Sequence, residues 1–131
     1  MKVILVLREI DAAAKNSVQF ITDDSEYYPV SLKNIKNHPP VICVRGNVET
    51  LTRPMVGIVG TRHATATGMQ FVAGLAESFA GHNIAVVSGM AMGTDSAAHM
   101  GALRADGNTQ TVAVLAGGVD YICSWLIAVQ K

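Results

Sequence analysis

The sequence has few charges, few aromatic rings and no long hydrophobic run. Charged residues make up only 15% of the 131 residues and aromatic residues only 5%, and the formal net charge is zero. A neutral chain is a poor candidate for a wholly basic surface that wraps nucleic acid. No segment approaches the roughly 18 consecutive apolar residues that predict a membrane span. Because half of the residues are hydrophobic, we expect one globular core and no membrane association.

Cysteine is also scarce. The two cysteines, Cys43 and Cys123, make neither a metal-binding spacing nor a disulfide framework, so reduced thiols are the favoured interpretation. The opening MKVILVL is a short apolar run with charged residues directly behind it, which does not match a secretory signal. These features predict a cytoplasmic protein without a metal site.

The two commonest nucleotide-binding motifs are absent. The pattern G-x-x-x-x-G-K-[ST] occurs nowhere, and Gly57, Gly60 and Gly68 do not have the spacing G-x-G-x-x-G. The second candidate strand ends in Ser88 and Gly89, where a dinucleotide site would place an acidic residue for the ribose. The sequence therefore predicts no nicotinamide, flavin or triphosphate cofactor.

Three apolar runs rich in β-branched residues each end in glycine: MVGIVG, AVVSG and VAVLAGG. Such runs are typical of buried parallel strands. Two helical segments separate them, one with Val72, Leu75 and Phe79 on a single face and one that begins near Thr94 or Asp95. The order predicts β-α-β-α-β with right-handed crossovers. We therefore expect an α/β, Rossmann-like doubly wound sheet with three central parallel strands and an incomplete second half.

Smaller elements are predicted before these strands. We expect a helix over residues 3–14, a helical turn over 30–35 and an N-terminal edge strand over 41–46. The predicted organisation is an N-terminal helix and proline-punctuated extension over 1–40, a Rossmann-like core over 41–120, and a divergent tail over 121–131.

The turns after the three parallel strands should line one crevice, because the carboxyl ends of parallel strands meet at one edge of a sheet. These turns are GTR at 60–62, SGMAMGTD at 88–95 and AGGVD at 116–120. Glycine allows close approach of the backbone to a ligand, and helix N-termini attract anions. Arg62 would add a planar guanidinium that can grip phosphate oxygens. The residues alone thus predict an anion site.

Other interpretations of the same turns stay open. Asp95 and His99 have a helical metal-binding spacing, but no third ligand is near in sequence, so a capping aspartate and a structural histidine are favoured. Ser88 with His99 and Asp95 suggests a hydrolase, but no G-x-S-x-G elbow is present. Met90 and Met92 are interpreted as gap-filling side chains of the core.

Four segments resemble the DNA-processing protein A family (DprA/Smf), in the family's order and near its spacing: YYPVSLKNIKNHPPVICVRGN, VGIVGTRHATATG, VVSGMAMGTDSAAHMGAL and GNTQTVAVLAGGVD. The resemblance implies a Rossmann-like domain without catalytic activity that binds single-stranded DNA. It also implies RecA loading during natural transformation and a homodimer.

Carried over by motif, the resemblance assigns DNA binding to eight positions: Gly60, Thr61, Arg62, Ser88, Gly89, Gly93, Thr94 and Asp95. Five basic residues and one acidic residue lie between 33 and 62. We therefore expect flanking phosphate contacts from Lys33, Lys36, Arg45 and Arg53.

The resemblance ends after Asp120, and position 92, often basic in the family, is Met92. We expect a shortened member with weakened DNA binding, whose β-prone tail SWLIAVQK could pair at the open edge of the sheet. The competing function is a Rossmann-like nucleotide hydrolase that cleaves the glycosidic bond of a nucleoside monophosphate, although its P-G-G-x-G-T-x-x-E pattern is missing. A folded remnant without activity is the third interpretation.

Overall fold

The computed structural model describes residues 2–105, 111–115 and 126–130 and shows a mixed α/β fold. Within these residues, six strands form one sheet in the order β1-β2-β6-β5-β4-β3. The elements are α1 Lys2–Lys15, β1 Val18–Thr22, α2 Val30–Lys33, β2 Val41–Arg45, a 3₁₀ turn Val48–Thr52, β3 Met55–Gly57, α3 Ala66–Gly81, β4 Ala85–Ser88, α4 Thr94–Ala102, β5 Thr111–Leu115 and β6 Leu126–Gln130.

The three strands β3, β4 and β5 are neighbours and run parallel, with Met55 opposite Ala85 and Val86 opposite Thr111. Helix α3 connects the first two strands and α4 connects β4 to β5. This arrangement confirms the predicted Rossmann-like β-α-β-α-β core. Its three carboxyl ends lie at one edge of the sheet, which we call the carboxyl edge, and the opposite edge is the amino edge.

Both connecting helices cover one face of the sheet. Val86 of β4 is fully buried there, in a cluster with Ala76 of α3 and Ala98 of α4. The helices approach closely because their contact residues are small: a Cβ at Gly101 would lie 2.1 Å from the carbonyl oxygen of Ala73. The small side chains of α4 therefore allow it to pack closely against α3.

The second face of the sheet is covered by the segment between β1 and β3. Strand residues whose side chains belong to this second face, such as Val87 and Val112, pack against Tyr28, Leu32 and Leu51. The hydroxyl of Tyr28 donates a hydrogen bond of 2.6 Å to the carbonyl oxygen of Pro39, which anchors the proline-rich connection. Helix α2 therefore lies on the face opposite to α3 and α4.

Two strands differ from the sequence-based prediction. Strand β1 was not predicted; it is the short segment VQFIT, whose apolar residues are interrupted by Gln19, and it pairs antiparallel with β2. Because β1 occupies the edge, β2 is an inner strand. The tail strand β6 pairs with β5, at an edge of the three parallel strands as expected, but it also pairs with β2 on its other side. The helices predicted over 3–14 and 30–35 and the strand over 41–46 are confirmed.

Cys43 corrects another expectation. The residue lies on β2 with no exposed surface, and its sulfur is in a disulfide. The prediction of a reduced thiol is therefore wrong at this position, and Cys123 lies outside the described residues. No helix in the described parts of the chain combines the length and apolarity needed to cross a membrane.

Candidate functional site

Two loops at the carboxyl edge form the candidate site. The arginine loop, residues 58–65, joins β3 to α3, and the methionine loop, residues 89–93, joins β4 to α4. The third predicted turn, residues 116–120, lies outside the described residues. The structure therefore brings two of the expected turns together.

The two loops are interlocked through their backbones. The amide of Thr94 donates to the carbonyl oxygen of Thr61 at 3.1 Å, and the Thr94 hydroxyl donates to the same oxygen at 3.2 Å. Gly93 has a φ of +82°, and a Cβ there would lie 2.5 Å from that oxygen. A Cβ at Gly60 would lie 2.6 Å from the Thr94 hydroxyl oxygen. Both glycines are needed for this approach, which holds the backbone on either side of Arg62.

Three of the predicted DNA-binding side chains are buried and bonded within the protein. Ser88 is 3% exposed, and its hydroxyl donates to the carbonyl oxygen of Ile58 at 2.7 Å. Asp95 is 8% exposed, and its Oδ2 accepts from the amide of Ala91 at 3.3 Å. Thr94 is also buried. In this geometry the three side chains join the two loops to each other and to the sheet.

The exposed members of the predicted set are Gly60, Thr61, Arg62 and Gly89. Gly93 is half-buried. Arg62 makes no ion pair within the described ranges. The ion pair found there joins His38 and Asp23. The Arg62 guanidinium therefore stands in solvent at the carboxyl edge, where it can bind an anion.

The start of α3, like Arg62, favours a negatively charged ligand. Thr65 caps the helix, with its hydroxyl accepting from the amide of Gly68 at 3.1 Å. The helix N-terminus carries a partial positive charge and follows Arg62 by one short turn. The start of α4 is different, because backbone amides there already donate hydrogen bonds within the protein. The amide of Thr94 donates to the arginine loop, and the amide of Ser96 donates to the carbonyl oxygen of Ala91.

The four flanking basic residues do not come together at this edge. Arg45 ends β2, which β6, β5 and β4 separate from β3, and its register is level with Ala113 and Ser88. Four strand spacings, about 19 Å, therefore lie between Arg45 and β3. Arg53 precedes β3 at the amino edge and donates to Oδ1 of Asn83 at 2.9 Å. Lys33 and Lys36 are exposed in and after α2, on the face opposite to α3.

His99 ties α4 to the sheet. Its Nδ1 lies 2.8 Å from the hydroxyl of Thr111, which itself donates to the carbonyl oxygen of Val86 at 2.9 Å. Since that hydroxyl proton is used, Nδ1 must donate, and Nε2 is a buried acceptor with no hydrogen-bond partner among the described residues. Burial lowers the pKa of His99, and the nearby Asp95 carboxylate partly opposes this. No cluster of three metal-ligating residues occurs among the described residues.

Met90 and Met92 depart most clearly from the sequence interpretation. Their exposed fractions are 53% and 72%, so they do not fill gaps in the core. Met90 also has a φ of +64°, in the left-handed region that favours glycine. The interpretation as core residues is wrong, because both side chains project from a loop at the sheet edge.

A family model of DNA recombination-mediator protein A matches residues 19–125. The chain belongs to this family. The matched segment includes both loops of the candidate site, so the interlocked glycines and Arg62 are part of the family region.

Relatives and solved structures agree with this assignment. The chain is 34% identical over 116 residues to the DNA processing protein DprA of Bacillus subtilis, covering 88% of this chain and 38% of the relative. It is 36% identical over 100 residues to DprA of Streptococcus pneumoniae, covering 76% and 34%. The chain thus spans roughly a third of the length of these relatives.

The fold resembles two solved structures of the family. The structure of Streptococcus pneumoniae DprA matches with a TM-score of 0.71 at 27% identity, covering 91% of this chain and 47% of that one. The structure of Helicobacter pylori DNA processing protein A matches with a TM-score of 0.66 at 22% identity, covering 84% and 55%. The second likeness shows the fold alone.

Sequence reasoning located the two loops but missed how they interlock. The glycine before Thr94 was assigned to ligand contact, whereas its Cβ position is filled by backbone atoms of Thr61 and Arg62. A signal was present: Gly93 directly precedes the helix and would suit a positive φ. Its contact with the arginine loop depends on the sheet order, which the local sequence does not contain.

Proposed function

We propose that the protein binds single-stranded DNA at the carboxyl edge, with Arg62 as the main phosphate contact, and that it acts without catalysis. One observation carries the proposal: an exposed guanidinium stands on a loop whose backbone is held by Thr94 and Gly93. A held backbone lowers the entropy that an arginine loses on binding phosphate. The start of α3 adds a partial positive charge beside it.

Single-stranded DNA fits this site better than a duplex does. The zero net charge, the position of Arg53 at the amino edge and that of Arg45 on the distant β2 leave no continuous basic surface in the described structure. A flexible strand can bring one phosphate to one guanidinium, whereas a duplex needs a broad basic face. The Helicobacter pylori relative is described as binding single-stranded DNA, which supports the same ligand here.

The contacts of the polar residues support binding over catalysis. Ser88 donates to a backbone carbonyl, His99 is directed to Thr111, and Asp95 accepts from a backbone amide. These three residues therefore do not form the hydrogen-bonded chain that a hydrolase triad requires. A nucleotide hydrolase remains the second candidate function, and an assay for release of free base distinguishes it from DNA binding.

The remaining parts of the proposal come from the family. By resemblance, the whole protein would load a RecA-type recombinase during natural transformation, act as a homodimer and work in the cytoplasm. Since this chain spans roughly a third of its relatives, these activities belong to the proposal for the complete protein.

The test compares Arg62→Ala with Arg45→Ala, a matched change at an exposed arginine of β2, which β6, β5 and β4 separate from β3. A labelled oligothymidine is titrated by fluorescence anisotropy at several salt concentrations. We expect Arg62→Ala to lose roughly tenfold in affinity, as for a charged hydrogen bond, and Arg45→Ala to bind like the wild type. Arg62→Lys should recover part of the affinity, because it keeps the charge but not the planar fork.

Two results would contradict the proposal. Equal affinity of the wild type and Arg62→Ala would remove Arg62 from the site. Release of free base from nucleoside monophosphates, lost in Ser88→Ala or Asp95→Asn, would assign the protein to the hydrolase class.

A further inference from the structure

We propose that Met90 and Met92 form an apolar surface that contacts an unpaired nucleobase next to the phosphate held by Arg62. This inference rests on the proposed function and names the second part of the nucleotide that the site takes. It assigns a binding role to two side chains that are hydrophobic, exposed and adjacent to the arginine loop.

The exposure of both side chains is the first observation. Methionine is among the residues most often buried in proteins. Here two methionines of a loop that spans only residues 89–93 leave 53% and 72% of their surface in solvent. An exposed apolar pair at the edge of a polar site is a common feature of binding surfaces.

The second observation is that the loop backbone is well anchored. Ala91 lies between the two methionines, and its amide donates to Asp95 Oδ2 at 3.3 Å. Its carbonyl oxygen accepts from the amide of Ser96 at 3.1 Å and from the Ser96 hydroxyl at 2.7 Å. The anchored peptide presents both side chains outward, so their exposure does not come from an unsupported loop.

The third observation is the backbone of Met90. Its φ of +64° disfavours a side chain with a Cβ, and glycine or asparagine would fit this position with less strain. Strained residues are concentrated at functional sites, where the surrounding structure holds them. Met90 therefore places a long, flexible thioether at a position where the backbone conformation would favour glycine.

The two loops place base and phosphate contacts side by side. A Cβ at Gly93, directly after Met92, would lie 2.6 Å from the carbonyl oxygen of Arg62. The methionine loop therefore touches the arginine loop at the residue that carries the guanidinium. Thioether groups pack well against flat rings and adapt to different partners. A single strand exposes its base faces, which fits a surface without sequence preference.

The test uses Met90→Gln/Met92→Gln, which keeps the length of both side chains but makes them polar. The matched control is Met100→Gln, at a methionine of α4 that is 56% exposed. Two probes of equal length and charge are titrated: an oligothymidine and an abasic oligonucleotide. Met90→Leu/Met92→Leu keeps the apolar surface, and circular dichroism monitors the fold of every variant.

We expect the double glutamine variant to lose about fivefold in affinity for oligothymidine and less than twofold for the abasic strand. The double leucine variant and Met100→Gln should bind both probes within about twofold of the wild type. The slope of log affinity against log salt should stay unchanged in the methionine variants, because no phosphate contact is lost.

Three outcomes would overturn the inference: equal losses on both probes, no loss on either, or a wild type that does not prefer oligothymidine over the abasic strand. Arg62→Ala separates this inference from the proposed function. It should weaken both probes alike; if it weakens neither while the glutamine variant loses oligothymidine, base contact stands and phosphate contact fails.

Discussion

The two edges of the parallel sheet carry similar charges but use them differently. At the carboxyl edge, buried polar side chains join the loops, and Arg62 remains exposed without an ion pair in the described structure. At the amino edge, Arg53 is bonded to Asn83. Arg45 lies away from the loops of both edges, on β2 across the sheet. The comparison shows that position in the sheet, and not the local density of basic residues along the chain, decides which arginine can serve a site.

The largest expected effect is that of Gly93→Ala. The new Cβ would meet the carbonyl oxygens of Thr61 and Arg62 at 2.5 and 2.6 Å and would be strained at a φ of +82°. Overpacking and left-handed strain together predict a loss of about 3 kcal/mol in the free energy of unfolding, with loss of DNA binding.

Gly74→Ala is the matched control, because a Cβ at this position of α3 meets nothing within 4 Å. It should raise the free energy of unfolding by about 0.5–1 kcal/mol, since alanine favours a helix. Urea denaturation measures both variants. Similar stabilities would contradict the interlocked loops.

The next effect is a pH dependence of stability that comes from His99. Because burial lowers its pKa in the folded state, the unfolded chain binds the proton more tightly. The stabilisation is fully present above the ordinary pKa of 6.5 and is lost as the pH falls from there toward the folded-state pKa. The slope is at most about 1.4 kcal/mol per pH unit.

Urea denaturation between pH 7.5 and 5 should show a smaller slope in His99→Gln than in the wild type. His82→Gln is the control, because that histidine is exposed at the amino edge, just after α3. Equal slopes for the wild type and His99→Gln would show that His99 does not titrate between the two states.

The smallest effect on binding is expected for Ser88→Ala. The substitution removes the 2.7 Å bond to the carbonyl oxygen of Ile58 and should cost about 1 kcal/mol of stability. DNA affinity should change by less than about twofold, because the hydroxyl faces the protein and not the solvent. A tenfold loss in anisotropy titrations, at unchanged fold, would instead identify Ser88 as a direct contact.

Much of the fold could be predicted because its signals are local. The strands β3, β4 and β5 are apolar runs ending near glycine, and α3 and α4 have clear faces. Strand β1 was missed because the apolar residues of this short segment are interrupted by Gln19. The position of β6 beside β2 depends on pairing between distant segments, which local patterns do not contain.

The same distinction applies to the site. Arg62 and the glycine turns follow from the rule that parallel strands end at one edge. The distance of Arg45 from the site depends on the position of β2 in the sheet, which is set through β6 by tertiary pairing. The exposure of Met90 depends on how the methionine loop is held by Asp95 and Ser96. Residue type alone predicted burial for Met90 and solvent contact for Ser88, and the structure has the reverse.

The most direct test of the comparison is a map of backbone amide chemical shifts during titration with oligothymidine. The account predicts shifts concentrated in the arginine and methionine loops and at the start of α3, with little change around Arg45, Arg53 and Asn83. Shifts centred on those three residues, with the two loops unchanged, would place the DNA away from Arg62 and contradict the proposed site.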